Sequence, residues 1–192
     1  MAKVGLRYPV FAPITQDNNG GMPTYGNGII IGHAISADLS FTHSNNKLYA
    51  DDRVVESDNT ITGGSVTLGT DDLLDDVQVA MLGVREEGSG AQKEYIEGGE
   101  GPDGGFGYIR VRRKNRVTSF IAYWVYKVAF SLGDESAQTK GESIDWQTPT
   151  VTGDMKGISN GGPDLDYRTH ATFATEAAAI AWLNDKAGIT AA

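Results

Sequence analysis

The chain has 192 residues and no cysteine, which excludes thiol catalysis, cysteine-ligated zinc and a disulfide framework. Its length suits one domain, and 40% hydrophobic residues are enough for a core. The net charge of -9 argues against a protein that grips nucleic acid, because that grip comes from lysine and arginine neutralising phosphates. The N-terminus lacks the apolar centre of a signal peptide and no apolar run approaches membrane-spanning length, so we expect synthesis in the cytoplasm without a membrane.

The N-terminal quarter predicts extended chain. Pro9 and Pro13 exclude a helix from residues 1–13, which read as an extended arm. Residues 13–28 are rich in Asn, Gly and Pro and predict an irregular loop.

The clearest strand pattern lies in residues 29–42, where apolar and polar residues alternate. The residues expected in the core are Ile35, Ala37, Leu39 and Phe41, and those expected on the wet face are Ser36, Asp38, Ser40 and Thr42. Residues 43–59 are polar and predict an exposed loop or ribbon, and residues 60–70 return as a strand.

After residue 70 the apolar residues recur at helical spacing and predict a helix. The apolar face of this helix comprises Leu73, Leu74, Val77, Ala80 and Met81. Thr70 or Asp71 can cap its start, and Gly83 stands where a left-handed C-terminal cap is expected. The four aspartates of residues 71–76 suit the positive end of the helix dipole, and they lack the ligand spacing and distal glutamate of an EF-hand.

The second half again predicts strands, closed by a helix. Residues 86–105 predict a Gly- and Glu-rich loop, and the strands are expected at 106–113, 117–132 and 142–152, with a tight turn around Lys114 and Asn115 between the first two. Residues 176–188 predict a helix capped by Thr175 and ended by Gly188, with Ile180 and Leu183 inward. The whole predicts one antiparallel, mainly β domain over residues 1–192 with two short helices.

Catalytic and cofactor motifs have little support. The run at residues 26–32 has the wrong spacing for a dinucleotide fingerprint and precedes a strand rather than a helix. Residues 98–103 match one copy of a calcium-binding β-roll repeat, which needs stacked neighbours, so a mobile loop is favoured. His33 is expected in a strand as a structural residue, and no nucleophile elbow occurs. We expect no enzyme activity, no metal and no organic cofactor.

Residues 110–116, RVRRKNR, hold five of the 16 basic residues. Three interpretations are open: a contact with an acidic patch on a neighbouring subunit, a plain solvated turn, and a phosphate-binding hairpin. The 25 acidic residues elsewhere favour the subunit contact.

An ordered set of phrases resembles a known family. These are VGLRYPVFAPI near the N-terminus, IGHAISADLSF followed by KLYADDRVVES, GGSVTLGTDDL leading into the first helix, GESIDWQTPTVTGDM, and the closing ATEAAAIAWLNDKAG. In this order, over nearly the whole chain, they resemble the phi13-type major tail proteins of siphophages.

The resemblance implies a β-sandwich or barrel-like tail-tube fold with one flanking helix and a short C-terminal helix. Such subunits close into hexameric rings that stack into a hollow, sheathless tail tube in the virion, the conduit for DNA. A loop corresponding to residues 43–59 reaches the adjacent ring, and the arm at 1–13 and the C-terminal segment add contacts. A tape measure protein and tail terminator or tip proteins are the implied partners, and DNA passes without specific binding.

Two sets of site residues follow as hypotheses. The residues expected to face the lumen are Ser36, Asp38, Ser40, Thr42, Thr62, Ser65, Thr67, Ser143, Asp145 and Gln147, opposite a core face that includes Val66, Leu68, Ile144 and Trp146. The residues expected at contacts between rings or subunits are His43, Asn45, Lys47, Tyr49, Asp51, Asp52, Arg53, Arg112, Arg113, Lys114 and Arg116.

The alternative is a β-sandwich binding or decoration module that recognises carbohydrate or a virion surface. It would fit Tyr123, Trp124 and Tyr126 on an exposed face. Their strand is apolar on both faces, so we expect them in the core.

Overall fold

The computed structural model describes residues 2–18, 21–90, 92–133, 139 and 148–190. Over these residues the chain forms fifteen strands and two helices. The strands are β1 (Ala2–Gln16), β2 (Thr24–Tyr25), β3 (Ile29–Ile30), β4 (Ala34–His43), β5 (Asn46–Ala50), β6 (Arg53–Asp58), β7 (Ile61–Thr70), β8 (Arg85–Ser89), β9 (Gln92–Ile96), β10 (Asp103–Lys114), β11 (Val117–Ser131), β12 (Thr150–Met155), β13 (Ile158–Ser159), β14 (Leu165–Asp166) and β15 (Arg168–Phe173). The helices are α1 (Asp75–Leu82) and α2 (Glu176–Ala187).

One antiparallel sheet organises the molecule. Its strand order is β2-β1-β10-β11-β12-β7-β4, with β3 added to β1 and β15 added to β11. The sheet curls far enough that β4 approaches β1. The fold is therefore mainly β and antiparallel, consistent with a β-sandwich or barrel-like domain with two helices, and the predicted fold class is confirmed.

The central strand is β11, as its double apolar pattern predicted. It pairs with β10 along one edge, and along the other edge with β15 and then β12. Gly104 and Phe106 lie opposite Val128 and Val125, so β11 carries one extra residue at this point. Because such a bulge reverses the side-chain alternation, Trp124 and Val128 face opposite sides of the sheet.

The bulge allows β11 to serve two cores. The core inside the curled sheet is built around Phe11, Leu68, Phe106 and Phe130 and is closed by Met81 of α1. On the reverse side, α2 packs onto β1, β10 and β11 through the contacts of Ala179, Leu183, Ile109 and Trp124. Tyr123, Trp124 and Tyr126 are all buried, as predicted.

The two helices differ in how well their starts were predicted. At α2, the Thr175 hydroxyl accepts the Ala178 N–H at 3.4 Å, Gly188 is left-handed with φ 65°, and Leu183 is fully buried, all as expected. At α1, Gly83 also caps the end with φ 72°.

No helix among the described residues could cross a membrane.

The predicted start of α1 is wrong. The helix begins at Asp75, and Leu74, expected in the core, is the N-cap residue and is 60% exposed. The carboxylates of Asp71 and Asp72 each accept the N–H of the following residue. These local hydrogen bonds compete with a helical turn, so the N-cap is Leu74, three residues after Asp71 and four after Thr70.

Several strands were missed or misplaced. The predicted loop at 86–105 contains the β8–β9 hairpin and the start of β10, and the predicted loop at 13–28 contains the end of β1 together with β2. The residues of β8 are all exposed, so the strand has no apolar alternation to reveal it. The arm expected at 1–13 is, over its described residues 2–13, part of β1 and pairs with β10 within the sheet. The strands β13 to β15 were not predicted.

Three smaller corrections concern the region around β4 and β12. Ile35 is exposed, because Ala34 and Ser36 face consecutive residues of β7 and Ile35 is the extra residue of a bulge. His33 lies in the loop between β3 and β4, not in a strand. The strand predicted at 142–152 is described only as β12, which runs on to Met155, and residues 142–147 lie outside the described residues.

Candidate functional site

Three neighbouring strands, β4, β7 and β12, share one polar face. Asp38 lies opposite Thr67 in the β4–β7 ladder, and Thr152 lies opposite Thr67 in the β12–β7 ladder. One step along, Ser40 and Asp154 both lie opposite Ser65. Residues directly opposite in antiparallel strands point to the same side of a sheet, so these side chains form continuous rows across three strands.

We call this surface the polar face. Its members are Ser36, Asp38, Ser40 and Thr42 of β4, Ser65 and Thr67 of β7, and Thr150, Thr152 and Asp154 of β12. The residues from β4 and β12 are exposed, and the two from β7 are half-buried between them. The opposite side of the same strands holds Ala37, Val66, Leu68, Val151 and Met155, all buried in the core inside the curled sheet. Core packing on one side therefore fixes which residues face solvent.

The chemistry of the polar face is that of hydroxyl groups and two carboxylates. Among the described residues, neither Asp38 nor Asp154 forms an ion pair. The nine named residues include no lysine, arginine or histidine. Hydroxyls and carboxylates of this kind favour hydration, and the two carboxylates disfavour close approach of anions. The cationic side chain of Arg110 lines the same cavity as Ser36 and Asp38.

Most of the predicted lumen residues that can be examined lie on this face. Ser36, Asp38, Ser40 and Thr42 are there, with Ser65 and Thr67. Thr62 falls out of the register, because it is the extra residue of a bulge in β7, and its hydroxyl donates to the Thr42 carbonyl at 3.3 Å. The remaining predicted residues, Ser143, Asp145 and Gln147, lie outside the described residues.

Three members of the polar face were missed: Thr150, Thr152 and Asp154. They alternate strictly with the buried Val151, Gly153 and Met155. Thr150 and Thr152 lie inside the strand predicted at 142–152, but the lumen prediction used its odd-numbered positions 143, 145 and 147, whereas the exposed positions of β12 are even-numbered. Asp154 lies beyond the predicted end of that strand.

A chain of ion pairs borders the polar face. The ammonium of Lys127 contacts the carboxylates of Asp17 and, at 3.4 Å, Asp103. Asp103 also accepts a hydrogen bond from Lys156 at 2.8 Å. This ion-pair cluster ties the segment after β1 to β10, β11 and the end of β12.

The ion pairs shift the pKa values of their members. Partial burial raises the pKa of Asp103, but the hydrogen bond and charge of Lys156, with the charge of Lys127, outweigh it and hold the pKa below its ordinary value. The hydrogen bond to Asp17 raises the pKa of Lys127. Both groups are therefore held in their charged forms.

The β5–β6 hairpin is a second surface, and it projects from the domain. Every residue of both strands is exposed, including the apolar Leu48, Tyr49, Val54 and Val55. Its turn residues, Asp51 and Asp52, have φ of 52° and 59°, as a tight two-residue hairpin turn requires. The predicted contact residues His43, Asn45, Lys47, Tyr49, Asp51, Asp52 and Arg53 lie on this hairpin or at its base. Of the exposed loop or ribbon expected at 43–59, the structure shows an exposed two-stranded ribbon.

The turn between β10 and β11 forms a third surface, the basic tip, which comprises Arg113, Lys114, Asn115 and Arg116. Asn115 and Arg116 have φ of 49° and 66°, again a tight turn, and all four residues are exposed. The fourth predicted cation, Arg112, is half-buried, and its Nε donates to the Ser119 hydroxyl at 3.1 Å. Arg112 is thus partly engaged by its own strand pair, whereas the other three cations project.

The three histidines do not converge on a catalytic arrangement. The Nδ1 atom of His33 is 2.9 Å from the Asp71 carboxylate, and the ring of His170 stacks on Tyr123. His43 lies beside the Asn59 carbonyl at the base of the β5–β6 hairpin. In the described ranges, no group of three or more histidine or carboxylate side chains is placed to hold a metal ion.

No family model matches the chain, and no curated protein matches it.

Proposed function

We propose that the protein is the major tail protein of a long-tailed bacteriophage, whose hexameric rings stack into a hollow tube that conducts DNA. The observation that carries the proposal is the polar face: hydroxyls and two carboxylates spread over three adjacent strands and backed by a packed core. In the tube this face lines the lumen. The ordered sequence phrases supply the ring and tube architecture.

A DNA conduit needs a wall that does not hold its cargo. Each lysine or arginine in contact with DNA adds affinity by releasing counterions, so a basic wall would trap the strand. A wall with the chemistry of the polar face repels phosphates and keeps water between itself and the DNA. Asp38 and Asp154 supply that repulsion, and the hydroxyls supply the hydration.

Stacking of rings needs a surface that leaves the domain. The β5–β6 hairpin has four large apolar side chains that are 47% to 64% exposed. Burial of apolar surface contributes about 25 cal/mol per Å², so contact with another ring would stabilise an otherwise exposed ribbon. The family implies that a tape measure protein occupies the growing tube and that terminator or tip proteins close its ends.

The alternative function, a carbohydrate-binding or decoration module, depended on exposed aromatic residues. Tyr123, Trp124 and Tyr126 are each at most 9% exposed. No observation on the described residues therefore favours that alternative over the tube.

Negative-stain electron microscopy of the purified protein tests the proposal. We expect rings, or tubes of uniform diameter, whose number rises with protein concentration. A field of small single particles at every concentration and ionic strength would contradict a tube-forming subunit and favour the binding module.

A further inference from the structure

We propose that the β5–β6 hairpin of one copy docks on the basic tip of a second copy of this chain. The inference deepens the proposed function, on which it rests, by naming the two surfaces that join neighbouring subunits.

The hairpin has the surface of a docking element. Tyr49 and Val54 form a cross-strand pair on one side, and Leu48 lies on the other. The exposed fractions are 64%, 47% and 59%, respectively. An isolated two-stranded ribbon is marginally stable in water, so one with apolar side chains on both sides is expected to gain stability from a partner.

Charge identifies the partner. Residues 43–59 contain four carboxylates against two lysine or arginine residues, and Asp51 and Asp52 form the turn itself. Residues 110–116 contain five cations and no acidic residue. Among the described residues, Arg113, Lys114 and Arg116 form no ion pair. The two tight turns are therefore complementary in charge.

The basic tip also offers apolar surface. Val117, directly after the turn, is 68% exposed. A partner that brings carboxylates and apolar side chains together would satisfy both features of the tip, and the β5–β6 hairpin brings both.

The other acidic hairpin, β8–β9, fits less well. Its Glu86 pairs with Lys93 at 2.8 Å, and Glu87 lies 4.0 Å from Arg85, so part of its charge is balanced within the hairpin. Its large apolar residues, Tyr95 and Ile96, are half-buried. This hairpin is therefore a matched control rather than a rival surface.

The contact is heterologous, because it joins two different surfaces of the same chain. Each copy that uses its hairpin still has a free basic tip, so the contact propagates from one subunit to the next. Heterologous contacts close into rings or continue as open helical assemblies, which suits a tube.

Sedimentation velocity on reversed-charge variants tests the docking. We expect Asp51→Lys with Asp52→Lys, or Arg113→Glu with Lys114→Glu, to weaken self-association at least about tenfold, because like charges then face each other. An equimolar mixture of the two variants should regain association, since each supplies the charge that the other lacks. The control Glu87→Lys with Glu94→Lys makes the same charge change on the β8–β9 hairpin and should associate like the wild type.

The variant Asp51→Asn with Asp52→Asn guards against turn strain, because asparagine adopts the left-handed conformation as readily as aspartate. It should weaken association by a smaller factor and show a lower salt dependence than the wild type. The docking is overturned if the reversed variants associate like the wild type, if their mixture stays dissociated, or if the wild type is monomeric at every concentration.

Microscopy of the same samples separates the two proposals. If both charge-reversed variants still form normal tubes, the docking is overturned and the proposed tube function is not. Charge-dependent association into short chains without rings or tubes supports the docking and contradicts the tube.

Discussion

Asp38 and Asp154 carry the charge of the polar face. They lie on β4 and β12, the strands on either side of β7, and each is next to a hydroxyl of β7: Thr67 for Asp38 and Ser65 for Asp154. Both are exposed, so a change of charge at either position alters the polar face without disturbing the core. Asp145, which is also expected to face the lumen, lies outside the described residues.

Reversal of these two charges should slow DNA movement. In virions that carry Asp38→Lys and Asp154→Lys, we expect tubes to assemble and DNA ejection to be slower, most clearly at low salt where screening is weak. The measurement is the ejection rate in vitro over a range of ionic strength. Virions with Glu87→Lys and Glu94→Lys are the control for net charge. Unchanged ejection at low salt would show that the two aspartates do not face the DNA.

Two leucines, one buried and one exposed, test the burial that the structure assigns to their positions. Leu68 is fully buried under the polar face, whereas Leu74 is 60% exposed despite its place in the apolar pattern. We expect Leu68→Ala to lower the free energy of unfolding by about 2–5 kcal/mol, because it leaves a cavity. Leu74→Ala should change it by less than about 0.5 kcal/mol. Urea melts of both variants check this, and equal losses would contradict the placement of α1.

At the scale of elements, the β5–β6 hairpin is separable from the domain. His43 and Ile61 are ladder partners at its base, so removal of residues 44–57 leaves three residues to close a turn between β4 and β7. We expect this deletion to leave the subunit folded, with a melting temperature within a few degrees of the wild type, because no core side chain is lost. Tube formation should fail. Normal tubes from the deletion variant would show that the hairpin plays no part in assembly.

The ion-pair cluster predicts a pH-dependent contribution to stability. Because the folded pKa of Asp103 is lowered, its contribution is fully present above the unfolded value of about 3.9 and is lost as pH falls through the folded value. The wild type should therefore be more stable than Asp103→Asn at pH 7, and the difference should shrink below about pH 4.

Denaturant midpoints from pH 7 down to pH 2.5 measure this difference. The control is Asp166→Asn, an exposed residue outside the cluster. A difference for Asp103→Asn that stays constant to the lowest pH would contradict an ionised, paired Asp103.

The elements that sequence predicted well are those with one buried face. The alternation in β4 and β7 exists because Ala37, Val66 and Leu68 pack in the core, and the sequence records that packing directly. The bulge that exposes Ile35 depends on how β4 is aligned with β7. That alignment is a property of the strand pair, so the sequence of β4 alone does not reveal it. All of β8 is exposed, and β9 is half-buried only at the adjacent Tyr95 and Ile96, so neither strand has an apolar alternation to detect.

The candidate site could likewise be predicted only where its strands have one buried face. On the polar face, β4 and β7 were expected because their reverse sides are apolar. Asp154 was missed because the strand was expected to end at residue 152, three residues before the end of β12. The projecting hairpin was predicted from its polar composition, whereas the charge complementarity of the two tight turns depends on their exposure, which only the fold reveals.

At the scale of the whole molecule, each surface has a separate role in the proposed tube. The polar face would form the wall, the β5–β6 hairpin and the basic tip would form the contacts between subunits, and the two cores hold all three surfaces on one curled sheet. The net charge of -9 is compatible with this division, because the basic residues at 110–116 are concentrated at one tip and carboxylates occupy the polar face and both exposed hairpins.

A helical reconstruction of the assembled protein by cryo-electron microscopy would show which side chains face the lumen. We expect a hollow tube of stacked six-membered rings with Asp38 and Asp154 on the inner wall. A solid or non-tubular assembly, or a tube in which β4 and β12 present the polar face to the outside, would contradict this expectation.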